Sequence, residues 1–162
     1  MRIAFSHEQP GEAIAHLEDE SATLELGARL ARVLRPGLRI YLSGDLGAGK
    51  TTLVRGCLHA LGYRGRVKSP TFSLVEVYKL SRLYLYHFDF YRFEDPKEWT
   101  DAGFREEFSG PGVCIVEWPE KVAGRLPVPD LRLTLEHAVV GRTARVAGDT
   151  EQGKVCMGEL VA

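Results

Sequence analysis

The segment Gly44-Asp-Leu-Gly-Ala-Gly49-Lys50-Thr51 constrains this chain more than any other feature, because it fits the pattern G-x-x-x-x-G-K-[ST]. Its context matches as well. Arg39–Ser43 before it is a short apolar run that reads as a buried strand, and Thr51 to Leu61 after it carries Leu53, Val54, Cys57, Leu58 and Leu61 at helical spacing. In a strand–loop–helix unit of this kind the glycines let backbone N–H groups turn inward around phosphate oxygens. The helix N-terminus adds the positive end of its dipole, Lys50 adds a mobile cation, and the Thr51 hydroxyl is placed to ligate Mg²⁺.

The rest of the chain alternates strand and helix patterns around this unit. Ser21 to Leu34 has helical apolar spacing, acids near its start, and Pro36-Gly37 as a stop. Leu74 to Lys79 and Leu83 to Phe90 alternate with period two, so a hairpin turning near Ser81-Arg82 is expected. In the second run Tyr84, Tyr86, Phe88 and Phe90 share one face, while Leu83, Leu85, His87 and Asp89 share the other. Asp95-Pro96-Lys97-Glu98 carries a cap, a first-turn proline and a glutamate three residues after the cap, the start of another helix. Val113–Val116 is a second buried-strand run, and Leu131–Glu136 and Arg142–Val146 read as two later strands joined by a glycine turn. The expected fold is α/β, a P-loop NTPase-like three-layer sandwich with a mixed, largely parallel central sheet.

At 162 residues the chain suits a single domain, with 1–17 and 147–162 peripheral to it. The composition is 44% hydrophobic and 27% charged, a globular profile, and the net charge of −1 leaves no cation excess to hold nucleic acid by itself. Cys57, Cys114 and Cys156 are widely spaced in apolar surroundings and read as small buried hydrophobes. No apolar run approaches the ~20 residues that cross a bilayer, so a cytoplasmic, monomeric protein without membrane attachment is expected.

Catalysis at a P-loop needs a carboxylate beside the metal and a group that orients the attacking water. Asp89 and Glu117 each end an apolar strand, at the edge where α/β sheets bind ligands. Lys68-Ser-Pro-Thr71-Phe72 has the make-up of a switch loop with a γ-phosphate-sensing hydroxyl. Trp118, next to Glu117, either packs the site, stacks on a partner or fills the core. His87 lies on the Asp89 side and reads best as a hydrogen-bonded structural histidine. Arg64, Arg66 and Lys68 read as a solvated basic loop.

Taken in order, Gly44–Thr52, Lys68-Ser-Pro-Thr-Phe72, His87-Phe-Asp-Phe-Tyr-Arg92 and Val116-Glu-Trp-Pro-Glu120 resemble the TsaE (YjeE) family over roughly Glu20 to Arg142. The resemblance implies a Mg²⁺-dependent ATPase that supports formation of threonylcarbamoyladenosine beside the anticodon of tRNAs reading codons that begin with A. The implied partners are the TsaD and TsaB proteins, which form the transferase core, with tRNA engaged indirectly. It assigns ATP to Asp45, Leu46, Gly47, Ala48, Gly49, Lys50, Thr51 and Thr52, and Mg²⁺ to Thr51 and Glu117. Lys50, Asp89, Glu117 and Thr71 become catalytic-site residues, and Trp118 a coupling residue. Aligned with the family by spacing, Glu20 at the start of the first helix and Arg142 near the last strands occupy places that look like its nucleotide-contacting positions.

Two rival classes fit the loop. A small P-loop kinase usually has an arginine-rich lid, whereas the arginines here are scattered. A nucleotide-sensing module that never hydrolyses ATP is separated from an ATPase by phosphate release.

Overall fold

The computed structural model describes residues 3–162 and contains one eight-stranded sheet. The strands are β1 (Phe5–Gln9), β2 (Glu12–Leu17), β3 (Arg39–Ser43), β4 (Val75–Lys79), β5 (Tyr84–Asp89), β6 (Val113–Glu117), β7 (Leu131–His137) and β8 (Arg142–Gly148). They lie in the order β1-β2-β8-β7-β3-β6-β5-β4. The four central strands β7, β3, β6 and β5 are parallel, and antiparallel strands flank them on both sides. This is the mixed α/β sheet expected from sequence, and the hairpin of β4 and β5 turns where the alternation predicted.

Five helices cover the sheet: α1 (Glu20–Val33), α2 (Lys50–Ala60), α3 (Lys97–Ala102), α4 (Arg105–Ser109) and α5 (Glu151–Val161). Alternation along each central strand divides the interior into two cores. Ile40, Leu42, Leu85, Val113 and Ile115 point to a face covered by residues of α1, α2 and α5, such as Leu26, Leu30, Leu53, Leu58 and Met157. Tyr41, Phe88, Cys114 and Val116 point to the other face, under Trp99 of α3 and Phe108 of α4. Three layers result. The three cysteines are buried and unpaired.

α1 begins where Asp19 Oδ1 accepts from the Ala22 N–H at 3.0 Å, a side-chain cap that satisfies one of the free first-turn amides. At α3, Glu98 accepts from the backbone N–H groups of Glu94 and Asp95, and Asp95 accepts from Lys97, as the capping pattern predicted. The seating of α2 on α1 has a different cause. A Cβ at Gly27 would lie 2.1 Å from the Leu53 carbonyl oxygen, and one at Gly56 would lie 2.3 Å from that of Leu24. Two glycines on facing helices therefore bring backbone against backbone. This contact sets the height of the helix that starts at Lys50.

Both flanking segments pack into the fold. Residues 1–2 of the segment 1–17 lie outside the described residues, but β2 pairs with β8 along its length and buries Ala13, Ala15 and Leu17. Past residue 147, α5 is capped by Thr150, whose hydroxyl accepts from Gly153 N–H, and it buries Cys156 and Leu160. Neither β1–β2, α4 nor α5 was expected from sequence.

Candidate functional site

β3 ends at Ser43, the chain crosses Gly44–Gly49, and α2 starts at Lys50. Gly49 has φ 104°, a left-handed value that glycine adopts without steric cost. A Cβ on Gly44 would meet the Leu135 carbonyl oxygen at 2.4 Å, so the loop passes hard against β7. Among the described residues, the backbone N–H groups of Gly47, Gly49, Lys50 and Thr51 meet no acceptor, while Ala48 N–H is tied to the Asp45 carbonyl. A row of free amides at a helix N-terminus is a cradle for an anion.

These amides border a cavity of about 540 Å³. Five further segments complete it. Asp89 and Glu117 are Cα partners on adjacent parallel strands, so both carboxylates emerge at the same edge of the sheet. Thr71 and Ser69 come from the loop before β4, and Glu18, Asp19, Glu20 and Thr23 come from the start of α1. Of the residues singled out in the sequence, Glu20, Leu46, Gly47, Gly49, Lys50, Thr51, Thr52, Thr71, Asp89, Glu117, Trp118 and Arg142 line this cavity. Asp45 and Ala48 do not. Asp45 is exposed on the loop, and the Ala48 side chain is buried with its carbonyl accepting from Arg142 Nε at 2.9 Å. Arg142 also donates to the Gly47 carbonyl at 3.1 Å, so it braces the loop from β8.

Lys50 is buried, with its ammonium donating to the Gly44 carbonyl and lying 3.9 Å from Glu117 Oε1. It also sits 4.0 Å from the centre of the Trp118 ring, within cation–π range. Burial pulls its pKa below the ordinary lysine value, against the attraction of Glu117 and Asp89. Asp89 is clasped by the Tyr91 N–H at 2.8 Å and the Thr71 hydroxyl at 3.0 Å, and Thr71 in turn meets Ser69 at 2.8 Å. Burial nevertheless holds its carboxyl above the usual carboxylate range; those two hydrogen bonds oppose the shift and the charge of Glu117 adds to it.

Trp118 follows Glu117 in the left-handed region, φ 58° and ψ 47°, and leads into the 3₁₀ turn Pro119–Val122. For a bulky residue that conformation costs on the order of 1–3 kcal/mol and needs outside support. Lys50 on one side and Tyr91, 5.0 Å from its ring, supply that support.

His87 stands behind the cavity as the hydrogen-bonded structural histidine expected from sequence, and the structure names its partner. It is fully buried, and its Nε2 lies 2.5 Å from Glu117 Oε2, so it holds the far oxygen of the carboxylate while Oε1 faces Lys50. The alternation that placed His87 beside Asp89 was the available signal. Glu18, Asp19, Thr23, Ser69 and Gly141 line the cavity without having been singled out as site residues in the sequence.

The oxygen donors here, the Thr51 hydroxyl and the carboxylates of Glu117 and Asp89, suit a hard cation such as Mg²⁺. Among the described residues no group of three or more His, Cys, Asp or Glu forms a cage of its own. The donor set therefore fits an ion that a bound phosphate helps to hold.

Comparison with known proteins agrees with this geometry. The family model described as threonylcarbamoyl adenosine biosynthesis protein TsaE matches residues 17–145. The tRNA threonylcarbamoyladenosine biosynthesis protein TsaE of Haemophilus influenzae is 40% identical over 144 residues, covering 86% of this chain and 91% of the relative. The protein of the same description from Bacillus subtilis is 42% identical over 121 residues, covering 75% of this chain and 73% of the relative. The crystal structure of Bacillus subtilis YdiB superposes with a TM-score of 0.81 at 29% identity, covering 96% of this chain and 97% of that one. The P-loop, the paired strand-end acids and the matched span of sequence lead to one assignment: this chain belongs to the TsaE family.

Proposed function

We propose that this chain is a Mg²⁺-dependent ATPase that supports threonylcarbamoyladenosine formation next to the anticodon of tRNAs reading A-starting codons. It acts with the TsaD–TsaB transferase core, in the cytoplasm, and does not itself transfer the threonylcarbamoyl group. The observation that carries the reading is the meeting of Lys50, Thr51, Asp89 and Glu117, from three separate segments, at one cavity. The names of the relatives, tRNA threonylcarbamoyladenosine biosynthesis proteins, supply the pathway.

The free amides of Gly47, Gly49, Lys50 and Thr51 receive the phosphates, and Lys50 swings from the Gly44 carbonyl onto the phosphate oxygens. Thr51 and Glu117 would hold Mg²⁺, which when bound would neutralise phosphate charge. Glu20 and Arg142 flank the nucleotide. Asp89 orients the attacking water, and its hydrogen bond to Thr71 ties that water to the state of the Lys68–Phe72 loop. Trp118 carries the state outward, because Lys50 leaves its ring when phosphate arrives.

Among the described residues Arg142 is the one arginine lining the cavity, and it is engaged by the Ala48 and Gly47 carbonyls, so full turnover draws on the partner. A trans-acting arginine is worth ~10³–10⁵ in turnover in some GTPases. The deciding experiment is ATP turnover by the chain alone and with the transferase pair added, with and without Mg²⁺. Phosphate release that is slow alone and rises with the pair supports the proposal. Transfer of phosphate to a small acceptor, or no release in any condition, rejects it.

A further inference from the structure

A second cavity, of about 330 Å³, opens on the other face of the sheet and at the other end of β3. It is framed by Arg39, the first residue of β3, Arg105, the first of α4, and Arg125, in the loop after the 3₁₀ turn. Its apolar wall is Trp99, Phe108 and Leu126. No acidic side chain lines it, and none of the three arginines makes a salt bridge among the described residues.

Two of the lining residues also carry unmet donors. Arg39 Nε and Trp99 Nε1 are buried nitrogens with no hydrogen-bond partner, although Trp99 is only 4% exposed. The Arg39 guanidinium is already anchored, since its Nη1 donates to the Phe108 carbonyl at 3.0 Å. A pocket framed by three guanidinium groups and no carboxylate, with aromatic and aliphatic walls, is complementary to an anionic oxygen carried on an apolar body. Guanidinium forks bind carboxylates in two-point fashion, and arginine and tryptophan are the residue types that dominate protein interfaces.

We propose that this cavity is a docking site for an acidic segment of a partner protein, which inserts a carboxylate among Arg39, Arg105 and Arg125 and an adjoining apolar side chain against Trp99. A protein fits better than RNA. The chain carries a net charge of −1, and three cations give a salt dependence of only about −2 in log–log slope on a single strand, too little to hold RNA firmly. The site communicates with the first cavity through short covalent paths. β3 runs from Arg39 to Ser43 and into the P-loop, and only the 3₁₀ turn and Ala123-Gly124 separate Trp118 from Arg125. The proposal goes beyond the ATPase reading and does not depend on it.

The test follows the Trp99 indole N–H resonance by ¹H–¹⁵N NMR in the full chain, assigned by its loss in Trp99→Phe. The probes are a capped octapeptide alternating glutamate and leucine, the same peptide with glutamine for glutamate, and a ten-nucleotide single-stranded RNA. Saturable movement of the resonance with the glutamate peptide is expected, at least tenfold tighter than with the glutamine peptide. The exposed pair Arg105→Gln and Arg125→Gln should weaken it at least tenfold while Mg·ATP binding stays unchanged. Equal binding of the two peptides, tighter binding of the RNA, no saturable movement, or indifference to the double variant would each overturn the assignment. Absence of ATP hydrolysis would reject the ATPase and leave this result standing.

Discussion

His87 Nε2 lies 2.5 Å from Glu117 Oε2, and both side chains are buried. The contact fixes the rotation of the carboxylate so that its other oxygen faces Lys50 and the cavity. Removing one partner leaves a buried charged group unsatisfied, at a cost of about 1–3 kcal/mol. His87→Leu should therefore lower the thermal midpoint, and a combined His87→Leu, Glu117→Gln protein should recover part of the loss. The same single variant should raise the Mg²⁺ concentration needed for tight nucleotide binding, read by calorimetry at several Mg²⁺ concentrations. An unchanged Mg²⁺ requirement would reduce His87 to core packing.

Asp89 gives the pH dependence. Its folded-state pKa is raised above the unfolded value, chiefly by burial, so the folded chain holds this proton more tightly. From this group alone, the ionised form destabilises the fold at neutral pH, and stability is gained as pH falls through the folded pKa toward the unfolded one. In EDTA and without nucleotide, Asp89→Asn should raise the melting temperature at pH 7.5 and flatten its rise toward mild acid. A variant that melts lower than the parent at pH 7.5 would show that the clasp of Tyr91 and Thr71 outweighs burial.

The two acids should separate in kinetics. Lys50→Ala is expected to abolish hydrolysis. Glu117→Gln should raise the Mg²⁺ requirement more than Asp89→Asn does, whereas Asp89→Asn should lower kcat with Mg·ATP affinity largely kept. The opposite ranking would exchange their roles.

Gly56 reverses the usual helix rule. In an ordinary helix interior Gly→Ala stabilises by ~1 kcal/mol. Here the added Cβ would meet the Leu24 carbonyl oxygen at 2.3 Å, so α2 has to move off α1. Gly56→Ala should destabilise by about 1–3 kcal/mol in denaturant titrations, as overpacking does. It should also weaken nucleotide binding, because the N-terminus of α2 moves with the helix. Stabilisation by Gly56→Ala would contradict the backbone contact.

Trp118 reports on Lys50. With the ammonium 4.0 Å from its ring, the indole should change its fluorescence when phosphate draws Lys50 away. The response to Mg·ATP should vanish in Trp118→Phe, which leaves Trp99 as the single tryptophan. Trp118→Ala should keep Mg·ATP binding nearly intact while partner-dependent tRNA modification falls. Parallel loss of nucleotide affinity would make Trp118 part of the nucleotide pocket only.

The sequence by itself determined the parts whose signal is local. Gly44–Thr51, the alternation from Leu83 to Phe90, the cap at Asp95 and the apolar run ending in Glu117 each carry their information within about ten residues, and each was legible. The family resemblance pointed to Glu20 and Arg142, and both line the cavity. Pairing across the fold decided the rest. β2 is a short strand whose partner, β8, lies more than a hundred residues away, and α5 contains two glycines and weak helical propensity. α5 forms because Gly153 packs against the backbone of Asp130, where a Cβ would come within 1.8 Å of the carbonyl oxygen. His87 is the hydrogen-bonded structural histidine its sequence reading favoured, but its spacing gave only the face, and the parallel register of β5 and β6 set it against Glu117. The arginine-lined cavity brings together residues 39, 99, 105 and 125, and no local pattern links them. Local periodicity is encoded in neighbours along the chain, whereas these contacts depend on the free energy of packing elements that are far apart in sequence.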